Sequence, residues 1–172
     1  GGGGDEPMYR IRLNDPCNLR LDGKALIDGT AWDYAYVELG DPGIPHAVVP
    51  VKNLRDFDTA KLRELGRRLR YYPEFPKGAN VNFYEIIGAN HIYERTYERG
   101  VEDFTYACGT GTGSVVTVLT LLGNVSGHQV RVDMTGGQLV VDVEREGNQV
   151  TNLYLTGPTN IVCKGEITDE AL

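Results

Sequence analysis

Ala107-Cys108-Gly109-Thr110-Gly111-Thr112-Gly113-Ser114-Val115-Val116-Thr117-Val118-Leu119-Thr120-Leu121-Leu122 is the stretch around which this chain has to fold. It opens as a polar, glycine-rich turn and continues as a helix over about 110–122, which Gly123-Asn124 closes. Val115, Val116, Val118, Leu119, Leu121 and Leu122 put apolar residues on nearly every side of that helix. A helix apolar all round belongs in an interior, so this one is expected at the centre of the domain.

Outward from it, alternation dominates. Met8 to Leu13 alternates and is bounded by Asn14-Asp15-Pro16; residues 32–38 and 46–51 alternate around the turn Gly40-Asp41-Pro42-Gly43. Pro50 pushes its end of the second of these toward a sheet edge. A second helix starts at the cap Asp58-Thr59, carries Leu62, Leu65 and Leu69 at helical spacing and stops by Pro73. Residues 81–87 and 92–97 predict a hairpin turning at Gly88-Ala89-Asn90, and 129–134, 138–143, 149–155 and 160–164 predict four further strands. Many strands and two helices predict an α+β fold, not a doubly wound parallel sheet. No internal repeat or second boundary is visible; residues 1–4 form a glycine linker or added remnant, and 5–172 form one domain.

The chain has 172 residues, 41% of them hydrophobic and 24% charged, which excludes wholesale disorder and a coiled coil. Its net charge of −7 argues against a nucleic-acid partner. No apolar run approaches the ~18 residues of a membrane span, and no signal peptide is visible. Cys17, Cys108 and Cys163 are too few and scattered for a disulfide framework, and their odd number suits a reducing, cytoplasmic setting. His46, His91 and His128 have no second ligand at metal-binding spacing, so no metal is expected.

The chemistry concentrates in Cys108-Gly109-Thr110-Gly111. The first N–H groups of the helix lack intrahelical acceptors, glycines admit a close ligand, and the helix dipole favours an anion there. The same field favours a thiolate on Cys108. The spacing fits neither a phosphate loop, since no Lys follows, nor a dinucleotide fingerprint. Three readings stay open on these residues alone: a carboxylate cradle beside a proton-accepting sulfur, a glycine-rich turn with an inert buried cysteine, and a cysteine hydrolase using His46 as base.

Taken as one string, Tyr97-Glu98-Arg99-Gly100-Val101-Glu102-Asp103-Phe104-Thr105-Tyr106-Ala107-Cys108-Gly109-Thr110-Gly111 resembles the signature of the diaminopimelate epimerase family. Pro45-His46-Ala47-Val48-Val49, Gly78-Ala79-Asn80-Val81-Asn82-Phe83 and Leu155-Thr156-Gly157-Pro158 agree in order, so the resemblance runs from about Glu38 to Ile167. It implies a mixed sheet or barrel wrapped around the central helix as a single half-domain, with the helix's amino end opening at the mouth of the domain. It also implies a cofactor-independent epimerase that interconverts LL- and meso-diaminopimelate for lysine and cell-wall synthesis. Two cysteines work on opposite faces of one α-carbon, one as thiolate and one as thiol, because a single sulfur returning its own proton regenerates the starting configuration.

Carried over by position, Cys108 resembles the second of those cysteines. Gly109 and Thr110 resemble the amide donors to the α-carboxylate. Arg99 resembles the bidentate partner of the distal carboxylate, and Glu98 the carboxylate near the distal or reacting ammonium, with both a catalytic and a binding role. Asn80 resembles an amide that reads the distal end, and His46 an auxiliary active-site imidazole. The family's first cysteine stands in a Cys-Gly-Asn-Gly motif that this sequence lacks; neither Cys17 nor Cys163 replaces it. Ile44 and Phe104 also depart from the family pattern and leave the substrate open. The implied partners are therefore a diamino-dicarboxylic acid and an amino-terminal half-domain, with self-association as a homodimer through the exposed face. A related racemase with another substrate, or a carboxylate-binding module without chemistry, are the alternatives.

Overall fold

The computed structural model describes residues 7–158; the linker expected at 1–4, the strand expected at 160–164 and Cys163 lie outside the described residues. The elements are β1 (Met8–Leu13), β2 (Pro16–Ile27), β3 (Thr30–Leu39), β4 (Ile44–Pro50), α1 (Thr59–Arg70) and β5 (Asn80–Gly88). They continue with β6 (His91–Glu98), β7 (Asp103–Thr105), α2 (Gly109–Leu121), β8 (Val130–Met134), β9 (Gly137–Glu146) and β10 (Gln149–Pro158). One mixed sheet runs β1-β10-β9-β8-β6-β5-β4-β3-β2, with β7 hydrogen-bonded beside β6. Among the described residues only β4/β5 and β6/β8 are parallel. Each parallel pair spans a helix: α1 connects β4 to β5, and α2 lies between β6 and β8.

Those crossovers place the helices on opposite faces. On β4 and β5, Ala47, Val49, Val81 and Phe83 pack with Leu62, Leu65 and Leu69 of α1. The alternate residues Val48 and Tyr84 pack with Val115, Val116, Val118 and Leu119 of α2. The sheet curls around α2, which touches β2, β3, β4 and β5 on one side and β9 and β10 on the other. Every residue of α2 from Gly109 to Thr120 is buried, as the all-round apolar pattern requires. This is the mixed sheet wrapped around a central helix that the resemblance implied, curled here as a half-barrel, and no helix among the described residues is long and apolar enough to cross a membrane.

Local signals mostly fall where expected. Asp58 caps α1 by accepting from the Lys61 N–H at 2.9 Å. The β5–β6 hairpin turns at Ala89-Asn90, where Asn90 takes φ 47°, the left-handed conformation that a tight hairpin needs. Two features differ. Strand β4 is internal, not an edge; its Pro50 is tolerated because the ladder with β3 ends at Val48, so the missing N–H falls on an unpaired side. Strand β2 alternates regularly only from Asp22 to Ile27; before that Asn18 adopts φ 51° and the register with β3 shifts twice between Cys17 and Gly23.

Candidate active site

Cys108 occupies the cap position of α2 with extended backbone, φ −142°, and its carbonyl accepts the first helical bond, from Thr112 N at 2.9 Å. The N–H groups of Gly109, Thr110 and Gly111 precede that bond and have no intrahelical acceptor. The helix start is not open. Cys108 is 3% exposed and Thr110 7%, because the glycines expected to admit a ligand admit protein instead. A Cβ on Gly109 would lie 3.1 Å from Leu155 Cδ2, and one on Gly113 would lie 2.5 Å from Leu13 Cδ1. A Cβ on Gly111 would stand 2.3 Å from Asn82 Oδ1 and 3.3 Å from Cys108 Sγ.

The sheet face opposite carries polar side chains at every second position. The parallel register sets His46 opposite Asn80 and Val48 opposite Asn82, and the β5/β6 register sets Asn82 opposite Thr96. Strand parity then buries His46, Asn80, Asn82, Glu94, Thr96 and Glu98. Thr96 Oγ1 donates to Asn82 Oδ1 at 2.9 Å, while Asn82 Nδ2 lies 3.2 Å from the Ala47 carbonyl and 3.0 Å from His46 Nδ1. Nε2 of His46 meets Thr110 Oγ1 at 3.0 Å, and Thr110 Oγ1 lies 3.6 Å from Cys108 Sγ. Burial, helped by the charge of Arg99, lowers the His46 pKa to about 3, so the ring is neutral at physiological pH. That corrects the hydrolase reading: His46 is separated from the sulfur by Thr110, has both nitrogens engaged, and is far too weak a base.

A second buried group lies one helical turn on. Thr112 Oγ1 donates to Glu94 Oε1, while Glu94 Oε2 is buried without a hydrogen-bond partner. Burial raises the Glu94 pKa to about 8 against the opposing bond from Thr112, so the carboxyl holds its proton near neutrality. Glu98, 2% exposed on the same face, is also pushed upward by burial.

Arg99 is held by two hydrogen bonds. Its backbone N–H donates to Asn80 Oδ1 at 2.7 Å, and Asn80 Nδ2 donates to the Pro45 carbonyl at 3.2 Å. Its Nη1 donates to the Lys77 carbonyl at 2.9 Å, and no ion pair among the described residues uses its guanidinium. Lys77 is itself anchored on Glu38, which also accepts from Tyr36 and Asn18. Burial alone would raise Glu38, but those three donors hold it below the usual carboxylate range. Cys17 lies beside this cluster, donating to the Gly40 carbonyl at 3.5 Å, and burial with the Glu38 charge raises its pKa. It has neither a helix start nor a thiolate-favouring field.

The structure thus brings Cys108, Gly109, Thr110 and His46 together and sets Glu98, Arg99 and Asn80 on the adjoining strand ends. Asn82, Thr96, Glu94 and Thr112 were not singled out from sequence. The signal available for them was polar residues at alternate positions, Asn80/Asn82 and Glu94/Thr96/Glu98, in strands whose other residues are largely apolar. Among the described residues no group of three or more His, Cys, Asp or Glu could hold a metal ion.

With this geometry in view, comparison with known proteins is informative. The family model for diaminopimelate epimerase matches residues 40–162. Diaminopimelate epimerase of Leptospira biflexa is 36% identical over 141 residues, covering 82% of this chain and 46% of that protein. That of Chlorobaculum tepidum is 38% identical over 164 residues, covering 95% of this chain and 59% of the relative. The chain therefore spans about half the length of the curated relatives it matches. Among solved structures, a hydroxyproline epimerase from Agrobacterium vitis with bound trans-4-hydroxy-L-proline superposes with TM-score 0.68 at 18% identity, over 88% of this chain and 49% of that one. A probable proline racemase from Agrobacterium radiobacter superposes with TM-score 0.64 at 21% identity, over 88% and 50%. At these identities the two structures establish the fold.

Proposed function

Because the chain belongs to the diaminopimelate epimerase family, we propose that it supplies one face of the active site of a cofactor-independent epimerase acting on LL- and meso-diaminopimelate. The observation that carries this is a cysteine at the cap position of a buried helix whose leading amides have no intrahelical acceptor. In the proposed step the Cα–H bond breaks, its proton forms S–H on Cys108, and the electron pair spreads into the α-carboxylate. The N–H groups of Gly109 and Thr110, with the positive end of the helix dipole, stabilise the charge that builds there. A thiol on the other face then delivers a different proton to the α-carbon, inverting it. We assign that second group to the part of the relatives' length that this chain does not span, so an amino-terminal half-domain is the partner.

Arg99 takes the distal carboxylate in this reading: a guanidinium with a fixed backbone and no ion-pair partner among the described residues suits bidentate binding. Asn80 acts through Arg99 as its brace. Glu98 accepts from an ammonium of the substrate, whose charge would offset the burial that raises its pKa. His46 serves as a neutral support. The test is NMR titration of the chain with LL-diaminopimelate and with proline. The amides of Gly109 and Thr110 and the Arg99 side chain are expected to shift with the diamino acid only, and Arg99→Leu to abolish the response. Equal responses to proline, or none at α2 with either compound, would overturn the substrate assignment.

A further inference from the structure

The polar side chains behind Cys108 form a chain with a fixed direction. Asn82 Nδ2 has two hydrogens, and two acceptors lie at hydrogen-bond distance from it: the Ala47 carbonyl and His46 Nδ1. A carbonyl only accepts, so the amide cannot be turned round without setting two oxygens against each other. The Thr96 hydroxyl completes the assignment by donating to Oδ1. His46 Nδ1 is therefore an acceptor, and in a neutral ring the hydrogen must sit on Nε2. That hydrogen points to Thr110 Oγ1. With its oxygen accepting from His46, the Thr110 hydroxyl is left to direct its own hydrogen to Cys108 Sγ.

We propose that Asn82 and Thr96 are positioning residues of the active site, which lock His46 as its Nε2–H tautomer and thereby turn the Thr110 hydroxyl into a hydrogen-bond donor to the Cys108 sulfur. Five residues from three strands and α2 act as one unit, Thr96 to Asn82 to His46 to Thr110 to Cys108, each donating to the next. A donor aimed at sulfur favours thiolate over thiol, which raises the fraction of Cys108 ready to accept a proton near neutrality. Burial of His46, Asn82 and Thr96, at 4% exposure or less, keeps water from competing at those joints. Burial also keeps the imidazole uncharged, so one tautomer serves across the working pH range. Gly111 belongs to the device, because any side chain there would displace the Asn82 amide. Of the charged groups of β6, Glu94 and Glu98 are buried on this face, with Arg99 just beyond the strand, and none of the three belongs to the chain of donors.

The inference rests on Cys108 being the proton-transfer sulfur, but its test needs no substrate. In the chain carrying Cys17→Ser and Cys163→Ser, thiolate absorbance titrates Cys108 alone. Thr110→Val and Asn82→Leu are each expected to raise its pKa by about one unit, roughly tenfold less thiolate near neutrality. The double variant should move it no further than either single one, since both break one chain. Thr96→Val should give a smaller shift in the same direction, restored by Thr96→Ser. Long-range nitrogen–proton spectra of the unsubstituted chain should report a protonated Nε2 and a bare Nδ1 on His46, which needs no variant to fold. A bare Nε2, or a Cys108 titration indifferent to Thr110→Val and Asn82→Leu, overturns the proposal. Thiol shifts as expected in a chain that never binds the diamino acid would sink the functional reading and leave the donor chain standing.

Discussion

Helices α1 and α2 have 12 and 13 residues, sit on opposite faces of one sheet, and are stabilised by different means. α1 is self-sufficient: Asp58 caps its start, Arg67, Arg68 and Arg70 complement the dipole at its end, and one leucine stripe faces the sheet. α2 has no side-chain cap bond and no charged residue in its first or last turn. It is held by the sheet that wraps it, and its leading amides have no intrahelical acceptor. A helix that spends its own sequence on stability presents nothing to a ligand. A helix stabilised from outside can leave its start unsatisfied, which is what a proton-transfer site needs.

The largest break in that contrast should come from adding bulk to α2. Gly113→Val would push into Leu13 and Leu153 and is expected to lose about 3 kcal/mol by chemical denaturation. Ala60→Val on the exposed side of α1 should stay within about 0.5 kcal/mol. Comparable losses at both sites would contradict the division of roles.

The next effect is of pH, and it should belong to the α2 face. His46 has a folded pKa near 3 against 6.5. Between those values the unfolded chain binds a proton that the folded chain does not, so stability rises with pH and is lost on acidification. Glu94 has a folded pKa near 8 against 4.5. Over that span the folded chain keeps a proton that the unfolded chain has released, so stability falls as pH rises. The two slopes cancel between 4.5 and 6.5, giving a plateau with an acid limb from His46 and an alkaline limb from Glu94. Glu94→Gln should remove the alkaline limb and stabilise the chain above pH 8 by on the order of 2 kcal/mol. An alkaline limb that persists in this variant would remove Glu94 from the account.

Smaller effects should appear on α1. Asp58→Ala is expected to cost about 1 kcal/mol through loss of the cap. Glu64→Ala, which breaks an exposed ion pair with Arg67, should be nearly silent, within about 0.5 kcal/mol. A large loss from Glu64→Ala would mean that α1 depends on its surface charges after all.

The same contrast explains what was legible beforehand. α1 could be read because its cap, stripe and stop are local: its start falls at the expected residue, and its end at Arg70 falls just short of the Pro73 stop. α2 was legible as a buried helix because its pattern has no polar side. β2 escaped because Asn18 and two register shifts break the alternation of its first half, and small residues, Gly23 and Ala25, stand at buried positions of its second. In the site, Cys108, Gly109 and Thr110 stand in one contiguous motif, and His46, Asn80, Glu98 and Arg99 in short ordered ones. Asn82, Thr96 and Glu94 became visible only once the parallel β4/β5 register fixed which face each strand turns toward α2. That register depends on a crossover of some thirty residues, beyond the reach of any local pattern. The meaning of Gly111 and Gly113 was inverted for the same reason: only the folded neighbours reveal that the space they leave is already filled.

The claim on which the rest depends is that the sulfur of Cys108 exchanges a proton with the α-carbon of a diamino-dicarboxylic acid from one face only. Incubating the chain with LL-diaminopimelate in deuterium oxide tests it directly. The account predicts deuterium at the α-carbon of recovered LL-isomer, no conversion to the meso form, and no label with Cys108→Ala. Conversion to the meso form by this chain alone, label that survives Cys108→Ala, or no label with the unsubstituted chain would each contradict it.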